Sequence, residues 1–134
     1  MAVSVTEWAF KREVLQATTP VLVNFWAPWC GLCKLILPQL HQFEAQWQGQ
    51  VKLVSINADE SLKLASSYRL TTLPTLMFFD QGEILRRWDH FLGRDDLQRV
   101  LNSCMASYEQ RYQDQLSGVG TNEREVLSSI GPSV

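Results

Sequence analysis

A chain of 134 residues, 46% apolar and 19% charged, is long enough for one globular domain whose core needs no disulfide staples. Its net charge of −2, with no basic cluster, argues against a nucleic-acid or anionic-membrane binder, and no apolar run approaches the roughly 20 residues of a membrane span. Met1 to Trp8 lacks a charged region followed by an apolar one, so no secretory signal is expected. Three cysteines in such a chain read as redox or catalytic groups rather than as a framework. The expected location is the cytoplasm, or a plastid if a transit peptide once preceded Met1.

Taken in order, Val3 to Val5 is predicted as a first strand. Thr6 caps a helix from Glu7 to Ala17, with Trp8, Phe10, Val14 and Leu15 as its apolar positions. Thr18-Thr19-Pro20 breaks it. Val21 to Ala27 is nearly all apolar, as a central strand covered on both faces requires. A helix follows from Cys33 to about Gln48, kinked at Pro38 and ended by Gly49. Val51 to Asn57 is a strand, and Asp59 or Ser61 starts a short helix ending near Tyr68. Leu73 to Phe79 is a strand entered through Pro74, Asp80-Gln81-Gly82 a hairpin turn, and Glu83 to Asp89 an alternating edge strand. Arg94 to about Leu116 is a long helix with Leu97, Leu101, Cys104 and Tyr108 on one stripe, extended by Tyr112 and Leu116. Cys104 reads as a small apolar core residue. Asn122 with Glu125 caps one more short helix carrying Val126, Leu127 and Ile130. This order predicts an α/β fold, a mixed sheet sandwiched by helices.

The chemistry gathers at Trp29-Cys30-Gly31-Leu32-Cys33-Lys34, between the strand and the helix. There Cys30 falls at a helix N-terminus and Cys33 about one turn on, on the same face. Unpaired N–H groups and the helix dipole stabilise a thiolate at Cys30. Cys33 is placed to attack any mixed disulfide that Cys30 forms. Structural zinc wants four ligands, and neither a second Cys-x-x-Cys nor a spaced histidine pair is present, so a metal site is not expected.

Pro20 to Lys34, with Pro38 beyond it, resembles the active-site strand and loop of the thioredoxin family. Leu64 to Leu76 resembles the helix and loop before that family's cis-proline, and Gly82 fits its last hairpin. The resemblance runs from about Val3 to about Met105. It implies a thioredoxin fold, with a central mixed five-stranded sheet flanked by helices on both faces, in residues 1–105; beyond the resemblance, 106–134 reads as a C-terminal extension, the end of the last helix followed by a short helix or a disordered tail. It implies dithiol–disulfide exchange on protein disulfides, an electron-donating reductase as second partner, and a monomer. No cofactor beyond a redox-active Cys30–Cys33 disulfide is implied. Cys30 and Cys33 take the catalytic roles, and Trp29, Gly31, Leu32, Leu73, Pro74 and His90 the substrate-binding ones. Pro74 would be cis and Leu73 would present its backbone to an extended substrate. The residues alone allow a trans strand entry at Leu73-Pro74 and a plain packing role for Trp29.

The chain departs from the family pattern at four places. Asn24 stands where the family has a buried aspartate that helps deprotonate the resolving cysteine, and Ser55 where it has that aspartate's lysine partner. Removing a charge roughly 7 Å away at an effective dielectric near 20 changes the thiolate energy by on the order of 2 kcal/mol at most. The expectation is a Cys30 that ionises more readily and a Cys33 that resolves mixed disulfides more slowly. Losing both partners avoids an unpaired buried lysine, although two core substitutions would read the same. Leu32 replaces a proline, which restores an N–H near the thiolate and favours the reduced form. His90 takes the place of a glycine, where it stabilises the Cys30 thiolate, supplies a base or fills the groove, or is a surface residue after an edge strand. His41 is read as solvent-facing. The rival functions are a low-turnover binding or adaptor module on the same fold and a dimer bridged by an iron–sulfur cluster.

Overall fold

The computed structural model describes residues 3–4 and 7–118. The chain divides into two units, Met1–Asn102 and Ser103–Val134. The first holds five strands in one sheet: β1 (Val3–Ser4), β2 (Val21–Trp26), β3 (Lys52–Asn57), β4 (Thr75–Asp80) and β5 (Glu83–Trp88). The order is β1-β3-β2-β4-β5. Strands β1, β3 and β2 run parallel, and β4 and β5 are antiparallel to their neighbours. Four of the strands have six residues and β1 only two. The central β2 and its neighbour β4 are buried almost throughout, as their unbroken apolar runs require.

The strand period of two sorts the core into two layers. Val21, Val23 and Phe25 of β2 join Val54, Ile56, Met77 and Phe79 on one face. Helix α1 (Glu7–Phe10), its π-helical continuation Lys11–Leu15, and α3 (Leu62–Ser67) cover that face through Phe10, Val14, Leu64 and Tyr68. Tyr68 packs its ring against Phe10, Phe25 and Phe79 with centroids 5.7 to 6.3 Å apart. The opposite face carries Leu22, Asn24, Leu53, Ser55, Leu76 and Phe78. Helix α2 (Gly31–Gln46), with Ile36, Leu40 and Phe43 buried, lies over it. The Gln39 side chain donates to the Arg94 carbonyl at 3.2 Å, which ties α2 to the start of α4 (Arg94–Gly118).

Several expectations need correction. Trp8 is 94% exposed. The inward face of its helix is set by Phe10 and Val14, four apart, and Trp8 lies about 200° from Phe10 around the axis. That helix ends at Leu15, not Ala17, and its last turn is π-helical. Helix α2 begins two residues before the expected Cys33 and continues through Pro38. Asp80, expected in the turn, closes β4 and is buried. The hairpin turn is Gln81-Gly82 alone, with φ of 52° and 84°, the positive pair that a two-residue hairpin uses. Leu97, Leu101 and Cys104 are buried as the stripe predicts, but Tyr112 and Leu116 are exposed. In the second unit the described residues continue α4 as far as Gly118. The cap at Thr6 and the short helix at Asn122 lie outside the described residues. Among the described residues no helix is long and apolar enough to cross a membrane.

Candidate active site

Strand β2 leaves the sheet at Trp26, and Ala27-Pro28-Trp29 turns the chain into α2. The Cys30 amide donates back to the Ala27 carbonyl at 3.1 Å. Cys30 is the N-cap of α2 in extended geometry, and its Sγ accepts the Cys33 amide at 3.1 Å. A sulfur therefore occupies the place where a serine or aspartate oxygen caps a helix. The same N–H would stabilise negative charge there. Cys30 and Cys33 form a disulfide with their Cα atoms 5.3 Å apart, and are 5% and 4% exposed. Gly31 is exposed and Leu32 half-buried.

Strand register collects further residues at this end of the sheet. Phe25 pairs with Thr75, so Pro74 follows alongside the end of β2. The Leu73–Pro74 peptide is cis and Pro74 is buried. The Thr75 hydroxyl donates to the Thr72 carbonyl at 2.7 Å, bracing the turn. Leu76 pairs with Trp88, so continuing the ladder brings Asp89 and His90 toward the same end. His90 is exposed, with φ of 54°. It holds the left-handed conformation a glycine supplies readily and a histidine adopts less often.

Trp29 is 69% exposed, and its indole N–H donates to the Asp59 carboxylate at 2.9 Å. The Asp59 amide is capped by the Asn57 side chain at 2.9 Å. This support was not read from the sequence, because the partners are 30 residues apart. Arg87 was also missed. Its guanidinium donates to the Tyr68 and Arg69 carbonyls and pairs with Asp89 at 3.0 Å. It thereby holds the end of α3, where Arg69 (φ 52°) closes the helix through bonds from Leu70 to Ala65 and from Arg69 to Ser66.

Behind the disulfide, Asn24 and Ser55 face each other in register on β2 and β3. They line a cavity of about 260 Å³ together with Cys33 and Trp26. Lys34, Leu37 and His41 of α2 complete its wall, and all three are exposed. Asn24 is 2% exposed. Among the described residues neither Asn24 Oδ1 nor Ser55 Oγ has a hydrogen-bond partner. His41 faces solvent as expected, but it also borders the cavity that reaches Cys33. Among the described residues no group of three or more His, Cys, Asp or Glu could hold a metal ion.

A model of the thioredoxin family matches residues 1–103. A thioredoxin of Synechocystis sp. is 44% identical over 108 residues, which cover 81% of this chain and 94% of that protein. A thioredoxin of the alga Pyropia yezoensis is 43% identical over 113 residues, covering 84% and 98%. Thioredoxin 1 of Synechococcus elongatus is 46% identical over 83 residues, covering 62% and 78%.

Proposed function

Because the chain belongs to the thioredoxin family and is a protein-disulfide oxidoreductase whose redox group is its own disulfide, we propose that Cys30 is the attacking thiol and Cys33 the resolving one. The observation that carries this assignment is the Cys30 sulfur at the N-cap of α2, accepting an amide N–H at 3.1 Å. In the reduced protein the Cys30 thiolate attacks a substrate disulfide, forms a mixed disulfide and releases one substrate sulfur as a thiolate. Cys33, once deprotonated, attacks Cys30 Sγ and releases the second. The substrate gains two electrons and two protons, and the Cys30–Cys33 disulfide forms. A dithiol or a reductase returns the electrons.

Trp29, Gly31, Leu32, Leu73, Pro74 and His90 form the docking surface for an extended substrate segment in this reading. Residues 1–105 are the working domain and 106–134 an extension. The chain acts as a cytoplasmic monomer on protein disulfides. Its reductase activity is weak or specialised, because Asn24 cannot take a proton from Cys33. Reduction of a generic protein disulfide by a dithiol donor tests the proposal. Wild type should turn over, Cys30→Ser should not, and the Asn24→Asp/Ser55→Lys double variant should be faster than wild type. Activity retained in Cys30→Ser would overturn the assignment.

A further inference from the structure

We infer that His41 accepts the Cys33 proton through water held by Asn24 and Ser55 in the cavity behind the disulfide. The inference rests on Cys33 being the resolving thiol. To attack Cys30, Cys33 must become a thiolate, and it is 4% exposed, where an unpaired charge is costly. The proton needs a path and an acceptor. The cavity of about 260 Å³ supplies the path, since Cys33 borders it directly. Asn24 and Ser55 line it, and their Oδ1 and Oγ atoms are buried without a hydrogen-bond partner among the described residues. Buried polar atoms of this kind are ordinarily satisfied by ordered water. The volume holds several molecules, each occupying about 30 Å³.

The acceptor follows by elimination among the cavity's own residues. An amide and a hydroxyl hydrogen-bond but do not take up the proton. Lys34 offers an ammonium, which has donors and no acceptor. His41 offers an imidazole, whose neutral form has one free acceptor nitrogen. It lies eight residues beyond Cys33 on α2, about 12 Å along the axis, and both line the cavity. Side chains lean toward a helix N-terminus, which brings the ring back over the cavity. The charged groups nearest His41 on α2 are Lys34 and Glu44. Strand β2 carries none, and the one on β3, Lys52, is bound to Glu13 at 2.6 Å. The proton moves from Cys33 Sγ through water to the imidazole. The thiolate then bonds to Cys30 Sγ, and the departing substrate thiolate is protonated from the imidazolium or from solvent.

An aromatic disulfide such as dithiobis(nitrobenzoate) separates the two steps. Reduced protein releases one coloured thiolate when Cys30 is captured and a second when Cys33 resolves the mixed disulfide. Both phases are followed by stopped flow from about pH 5 to 9. His41→Gln, an exposed change, should leave the first phase unaltered. It should slow the second on the order of tenfold or more at neutral pH and move its pH profile upward. Adding Asn24→Asp, which puts a carboxylate beside Cys33, should make the second phase indifferent to residue 41. An unchanged second-phase profile in His41→Gln, or equal slowing of both phases, overturns the relay alone. A wild type with no first phase overturns the Cys30 assignment and the relay with it.

Discussion

Glu13 shows how one side chain couples this chain's stability to pH. Its carboxyl is held below the ordinary value of 4.5, first by the hydrogen bond from Lys52 at 2.6 Å and then by Arg12. Lys52 also donates to the Glu13 backbone carbonyl at 3.1 Å, so the pair fastens the π-helical turn to β3. A carboxyl whose folded value is depressed contributes stability that is full above its unfolded value and is lost as pH falls through the folded one. Lys52→Met should therefore lower the urea midpoint at neutral pH, and its stability should fall less steeply than wild type below about pH 4.5. Midpoints measured from roughly pH 3 to 7 check both. Tyr68, half-buried in its aromatic cluster, shifts the other way: burial raises its phenol above the usual 10.0.

At the scale of elements, the β4–β5 hairpin shows where backbone conformation decides. Gly82 has φ of 84°, and a Cβ placed there would meet the Leu15 carbonyl oxygen at 3.0 Å. Gly82→Ala would combine a left-handed strain with a close approach to the π-helical turn, so it should cost about 1–3 kcal/mol. Gly31 opens α2, and a Cβ there meets nothing within 4 Å. Gly31→Ala should stay within about 0.5 kcal/mol of wild type. Urea unfolding of the two variants side by side separates a conformational glycine from a permissive one. The hairpin was readable from Asp80-Gln81-Gly82, but the burial of Asp80 was not. The turn needs only two residues, and the ladder claims the third.

For the whole molecule, every residue assigned to the exchange chemistry or its relay, from Asn24 to His90, lies in the unit Met1–Asn102, and the family match ends at residue 103. A chain ending after Gly118 keeps all of α4 and should reduce a protein disulfide at the rate of the full chain. A marked loss of turnover in that variant would assign the remaining residues a part in the reaction. Asn24 and Ser55 lie in that same unit, Met1–Asn102, where β2 and β3 pair.

Much of this protein was legible in the chain itself. The apolar run from Val21 to Ala27 placed β2 in the middle of the sheet, because a strand buried on both faces cannot alternate. The Cys30–Cys33 spacing at a strand–helix junction placed both sulfurs at one helix end, since local backbone geometry determines residues three apart. The four departures were visible as residue types. What lay beyond reach involved partners distant in sequence. Trp29 meets Asp59, Arg87 meets the end of α3, and Asn24 meets Ser55 over a cavity bordered by His41. Trp8 was misplaced because its helix is too short for periodicity to establish which face turns inward. Local sequence specifies elements through short-range sterics and hydrogen bonding. Which side chains share a cavity follows only from the register and packing of elements folded together.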